Sequence, residues 1–151
     1  MAKTNASPAT TRRTGTTTTS KASKAVRPRA RTATPKLPKA VSIAIQAARD
    51  RKASDVVVLD LRKAGGFTDF FVICTGNNPR QIVAIADAVR ETLKKELGER
   101  PTLSEGVDRS EWVLLDYFNF VVHVFSRECR SFYALERLWG NAQRIEFPNE
   151  D

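Results

Sequence analysis

Residues 111–139, EWVLLDYFNFVVHVFSRECRSFYALERLW, contain both tryptophans, both tyrosines and the single histidine of the chain, and no other stretch constrains the fold as tightly. Residues 112–117 and 120–125 are β-branched, aromatic or Leu apart from Asp116 and His123, a composition that predicts two strands joined at Phe118-Asn119. Side chains alternate along a strand, so Phe120, Val122 and Val124 share one face while Val121, His123 and Phe125 share the other. Both faces are largely apolar, which predicts a strand covered on both sides. Beyond Phe125 the period changes to that of a helix. Ser126 suits the N-cap, Glu128 suits the positive end of the helix dipole, and Phe132, Leu135, Leu138 and Trp139 fall on one stripe. The opposite face carries Arg130, Tyr133, Glu136 and Arg137, which suits either a solvated surface or a docking surface for a protein.

The formal net charge of +8 is unevenly placed. Residues 1–39 hold 10 Lys or Arg and no acid, leaving 15 basic and 17 acidic side chains in residues 40–151. Any general attraction to polyanions is therefore expected of the N-terminal tail and not of the folded body. Residues 1–37 are Thr, Ala, Ser, Pro, Lys and Arg with few large apolar side chains, too little buried surface to offset the entropy of ordering, so a disordered tail is predicted. Such a composition suits a mitochondrial transit peptide or an RNA-touching arm, and no clear amphipathic stripe supports the first. No run approaches the roughly 20 apolar residues of a membrane-spanning helix, so no membrane role is expected. Cys74 and Cys129 form no disulfide framework, which points to a reducing compartment.

From residue 38 the pattern is that of one folded domain, expected over residues 38–142 with a polar tail over 143–151, in which Ile145 and Phe147 are the side chains able to pack back. An Ala-rich helix precedes VVVLDL, a buried-type strand, and FFVICTG supplies a second strand after a Gly-containing loop. Asn78 as cap, Pro79 at the first position and Gly98 at the end bound a helix with Ile82, Ile85, Ala86, Val89, Leu93 and Leu97 on one stripe. PTLSEGV predicts a short edge strand. The fold class is α/β: a mixed β-sheet flanked by helices.

Motifs for chemistry are weak. TGNNPRQ leads a strand into a helix N-terminus but lacks the glycines and lysine of a phosphate-binding loop. Asp55, Asp60, Asp69 and Asp116 lie near strand ends without the spacing of a two-metal site. Two Cys and one His at scattered positions do not make a metal site, and His123 between Val121 and Phe125 suits a hydrogen-bonded sheet residue better than a base.

Taken together, DVVVLDL, FTDFFVICTG, PRQIVAIADAV, EWVLLDY, VVHVF and RSFYALERLW resemble the ribosomal silencing factor family, also called Iojap-like, over residues 40–141 in unbroken order. The resemblance implies a fold related to nucleotidyltransferases without their catalytic carboxylate pattern, no enzyme activity and no cofactor. It also implies that the protein binds large-subunit ribosomal protein fourteen on the subunit-joining face, blocks small-subunit docking and represses translation under nutrient limitation. The family's motif positions fall on Trp112, Asp116, Tyr117, His123, Phe125, Arg130, Tyr133, Glu136 and Trp139. Trp112, Phe125 and Tyr133 are expected as apolar anchors, with Asp116, Arg130 and Glu136 fixing orientation. Where the family has Gly-Asp between the hairpin strands, this chain has Phe118-Asn119, so a widened or different turn is expected, with Phe118 as an additional exposed aromatic. A cytoplasmic, ribosome-associated location follows, or a mitochondrial or plastid one if residues 1–37 are a transit peptide. Ribosomal RNA is a second expected partner, through the tail, and an exposed sheet face or edge would permit a homodimer. Two alternatives are a divergent nucleotidyltransferase and an RNA-binding protein whose tail does the binding.

Overall fold

The structure is a computed structural model, and it describes residues 36–149. The basic tail read from the sequence therefore lies, but for its last residues, outside the described residues. The folded body begins at Leu37, which packs against the core.

The elements run α1 (Lys39–Asp50), β1 (Ser54–Asp60), β2 (Phe70–Thr75), α2 (Pro79–Leu97), β3 (Leu103–Glu105), β4 (Trp112–Asp116), β5 (Phe120–Phe125), α3 (Arg127–Tyr133), α4 (Leu135–Leu138) and β6 (Gln143–Phe147). They build one six-stranded sheet in the order β3-β4-β5-β2-β1-β6. β2 and β5 pair parallel, while the other neighbours are antiparallel. This is the mixed α/β sheet that the alternating apolar runs predict.

β2 and β5 lie in the middle and are buried along their whole length, which explains why neither shows a polar face in the sequence. One sheet face, with Val58, Val72, Val122 and Val124, is covered by α1 and α2. Ile82, Ile85, Val89 and Leu93 of α2 are all essentially inaccessible, and each such side chain contributes roughly 1.5–3 kcal/mol by leaving water. The helix ends are those the sequence specifies. Asn78 accepts from the Gln81 backbone N–H at 2.9 Å, and Gly98 takes a left-handed φ of 69° that ends the helix.

The other face, with Val57, Leu59, Phe71, Ile73, Val121 and Phe125, is covered by the α3–α4 segment. Three expectations are corrected here. The last helix is not continuous, because Ala134 adopts φ 45° and ψ 54° and splits it into two short helices. The break turns the predicted stripe apart: Leu135 is buried, whereas Phe132 and Leu138 are 81% and 71% exposed. Residues 143–147, expected as a polar tail, form β6 instead. Ile145 pairs with Val58 and is the only fully buried residue of that strand, so the polar pattern is that of an edge strand with one face in water. The hairpin turn is the third correction. It is tight rather than widened, with Tyr117 N–H donating to Phe120 O and Asn119 N–H donating to Tyr117 O, both at 2.9 Å. Phe118 itself takes a positive φ of 74°, which a Gly would take without strain.

Candidate docking face

Trp112, at the start of β4, is the centre of the site. Its ring stacks on Phe125 at 5.0 Å and meets Tyr133 of α3 at 4.5 Å with the planes tilted by 44°. Its indole N–H donates to His123 Nδ1 at 3.1 Å. His123 meets Phe71 edge to face at 4.5 Å, and Phe71 meets Trp139 at 6.1 Å and Phe67 at 5.9 Å. Phe132 continues the row beyond Tyr133 at 5.0 Å. The result is a ridge of neighbouring rings across the sheet face under α3–α4 and along α3, with Phe132, Tyr133 and Phe67 as its exposed members, and Leu138 of α4 is exposed as well.

Beneath the ridge the polar groups are closed off from solvent. His123 is 3% exposed, and burial holds its pKa well below the usual imidazole range, at about 3. It is therefore neutral at physiological pH. Because Nδ1 accepts from Trp112, the proton sits on Nε2, which has no hydrogen-bond partner among the described residues. His123 orients Trp112 and has no solvent path that a general base would need.

Arg130 and Glu136 hold the ridge from behind. Arg130 Nη1 donates to the Asp55 carbonyl at 2.6 Å and to Thr75 Oγ1 at 2.8 Å, and Nη2 donates to Glu136 Oε2 at 2.7 Å. Asp55 has φ 52° where the β1–β2 register shifts, so this irregular stretch of β1 carries the carbonyl that receives Arg130. One guanidinium thus ties α3 to α4 across the Ala134 break and ties both to the sheet.

The nine residues singled out by sequence divide into three places. Trp112, His123, Phe125, Tyr133 and Trp139 belong to the aromatic ridge. Of these Phe125, at 1% exposure, underlies Trp112 and is no surface anchor. Arg130 and Glu136 brace the ridge, and both are mostly covered. Asp116 and Tyr117 are elsewhere. Asp116 Oδ1 accepts from Phe118 N–H at 2.8 Å and holds the turn. Tyr117 is buried in the α1–α2 core, stacked on Phe120, and burial pushes its hydroxyl up to about 12. Sequence reasoning missed Phe132, Leu138 and Phe67 as surface residues. The first two carry a helical spacing that mimics a core stripe, and Phe67 stands out only as a lone aromatic in a Gly-rich loop.

The other candidates do not converge. Asp55 and Asp60 lie at opposite ends of β1, and a side-chain hydrogen bond from Arg62 holds Asp60 below the usual carboxylate range. The α2 N-terminus is filled by Gln81, whose Oε1 accepts from Asn77 N–H at 2.6 Å. Among the described residues no group of three His, Cys, Asp or Glu is placed to hold a metal ion.

The fold and the ridge together define a small mixed α/β domain with an exposed aromatic face. Residues 34–151 match the family model described as "Ribosomal silencing factor during starvation", and the chain belongs to that family. It is 39% identical over 106 residues to the ribosomal silencing factor RsfS of Halalkalibacterium halodurans, covering 70% of this chain and 90% of that relative. It is 38% identical over 104 residues to the chloroplastic protein Iojap of Arabidopsis thaliana, covering 69% of this chain and 43% of that longer relative. A crystal structure of a Chromobacterium violaceum protein superposes with a TM-score of 0.64 at 37% identity, covering 68% of this chain and 84% of that one.

Proposed function

We propose that this protein binds the large ribosomal subunit through the aromatic ridge, docking on large-subunit ribosomal protein fourteen at the subunit-joining face. Once there it leaves the small subunit no room, and translation is repressed while nutrients are scarce. Family membership supports the role in translational silencing. The observation that carries the docking face is the exposure of Phe132, Tyr133 and Leu138 beside a scaffold that fixes them. Large apolar side chains held in water, next to a buried hydrogen bond that orients their neighbour, are the composition of an interface centre rather than of a solvated helix.

Steric exclusion needs no cofactor and no bond chemistry. Affinity then comes from an interface of standard size, roughly 800 Å² per partner. The action is assigned to the cytoplasm, in contact with ribosomes, and the same mechanism would serve in an organelle. The test is sucrose-gradient sedimentation of purified subunits with the full chain. Co-migration with the large subunit together with loss of the joined particle supports the proposal. Normal joining at saturating protein, or unchanged binding by the Phe132→Ser, Leu138→Ser double variant, overturns it.

A further inference from the structure

Behind the ridge lies a second feature that steric exclusion does not use. An open cleft of about 1040 Å³ lies between β6, the start of β1 and the α3–α4 segment, and four arginines line it, Arg127, Arg130, Arg137 and Arg144. Its acidic lining is Asp55, Glu136 and Glu146. A smaller cavity of about 220 Å³, which shares Asn149 with the cleft, adds Arg49 and Lys52 and no acid. Together the two present six cations against three carboxylates, whereas residues 40–149 as a whole balance at 15 basic and 15 acidic side chains. The two cavities thus carry an excess of three positive charges, while the remaining 9 basic and 12 acidic side chains of residues 40–149 are net negative.

The ion pairs in the cleft differ in strength. Arg130 is committed to its three acceptors. Arg127 reaches Asp55 at 3.9 Å with 63% of its side chain exposed, and Arg144 reaches the mostly covered Glu136 at 3.8 Å and the exposed Glu146 at 2.9 Å. Pairs this exposed contribute little and exchange readily for another anion. Arg137 is exposed and pairs with no described residue. Each guanidinium has five N–H donors, so Arg127, Arg137 and Arg144 keep most of theirs for a ligand with forked oxygens.

We infer that this cleft takes phosphate groups of an RNA backbone. A polyanion with charge repeated along its length suits a trough with cations on several sides, and it also suits a chain whose residues 1–39 carry 10 Lys or Arg without an acid. The choice of RNA over other polyanions rests on the proposed ribosomal role; the existence of a phosphate site does not. The cleft and the ridge share the α3–α4 segment as a wall, so a protein partner on one side and RNA on the other are held by the same brace.

The experiment measures the affinity of the full chain for a 20-base-pair RNA hairpin across a salt series, with no ribosomal subunits present, so that its outcome is independent of the sedimentation test. Removing one cation from a phosphate lowers the slope of log K against log salt by roughly 0.7–0.9. The Arg127→Ala, Arg137→Ala, Arg144→Ala variant is expected to lower the slope by about 2, and Arg137→Ala alone, which breaks no ion pair among the described residues, by just under one. A control of equal charge, Lys94→Ala, Lys95→Ala, Arg100→Ala at the far end of α2, leaves the slope nearly unchanged. An unchanged slope in the cleft variants, an equal fall in the control, or competition by polyglutamate as effective as by RNA overturns the inference.

Discussion

The indole N–H of Trp112 donates to Nδ1 of His123 at 3.1 Å across the β4–β5 pair, joining a partly exposed ring to the one histidine of the chain. Burial keeps that imidazole neutral down to about pH 3, whereas in the unfolded chain it protonates near 6.5. The unfolded state therefore binds more protons between these values, and stability is full above pH 6.5 and falls as pH drops below it. Between pH 7.5 and 5 the loss is about 2 kcal/mol. Urea unfolding at the two pH values measures it, and His123→Phe should remove most of the difference, since no other histidine is present.

The exposed end of the ridge should separate binding from folding. Phe132 is 81% exposed, so Phe132→Ser should leave stability within about 0.5 kcal/mol. If Phe132 is a contact residue, the affinity for large subunits should fall at least tenfold, about 1.4 kcal/mol. Co-sedimentation at graded protein concentration, beside a thermal melt, reads both. A tenfold loss accompanied by a lowered melting temperature would place Phe132 in the fold instead.

Arg130 and Glu136 behave in the opposite way. Their pair is mostly covered, with side-chain exposures of 13% and 16%, and Arg130 also serves Asp55 and Thr75. Arg130→Met should cost about 3 kcal/mol, because Glu136 is left poorly compensated and two further acceptors lose their donor. The double change Arg130→Met, Glu136→Met removes the stranded charge and should recover part of that loss. Equal destabilisation in the single and double variants, by denaturant unfolding, would show that the cost lies in packing rather than in the uncompensated carboxylate.

The same contrast explains what could be read from the chain alone. The strands of β2 and β5 and the ends of α2 were legible because local pattern and tertiary environment agree: continuous β-branched runs are buried on both faces, and Asn-Pro and Gly bound the helix. The α3–α4 segment was not, because a three- and four-residue spacing of large apolar side chains describes a core stripe and a docking surface equally well. Only the left-handed Ala134 decides between them, and Ala gives no warning of that conformation. β6 was missed because an edge strand buries one side chain, Ile145, among residues that read as a tail. The site residues divided for a related reason. Asp116 and Tyr117 adjoin Trp112 in sequence, but β4 carries them to its opposite end, with Tyr117 turned to the other sheet face.

Gly106 and Gly98 both have positive φ, 83° and 69°, yet their substitution should differ. At Gly98 a Cβ meets open space, so Gly98→Ala carries only the left-handed penalty of about 1 kcal/mol. At Gly106 the added Cβ would overlap the backbone carbonyl oxygen of Trp112. Gly106→Ala must therefore also displace the β4 start, with a total cost of at least about 2 kcal/mol, and should move Trp112 off His123. Unfolding free energies, together with tryptophan fluorescence of the folded variants, distinguish the two positions.

Phe118 is one of five non-glycine residues with a positive φ among the described residues, and its φ is the largest of them. Its φ of 74° lies in the left-handed region, and its ring is 77% exposed, so no burial compensates the strain. The turn is held by Asp116 Oδ1, which accepts the Phe118 N–H, and by Thr68 Oγ1, which donates to the Phe118 carbonyl at 2.8 Å. Both bonds use the backbone of residue 118 and survive a change of side chain. Phe118→Gly should therefore relieve about 1 kcal/mol of strain, less the extra entropy that glycine loses on folding, and leave the protein equally or slightly more stable. Phe118→Ala keeps the strained φ and should show no gain. The difference in unfolding free energy between these two variants is the measurement, and a Gly variant less stable than the Ala variant would mean that the turn is not strained.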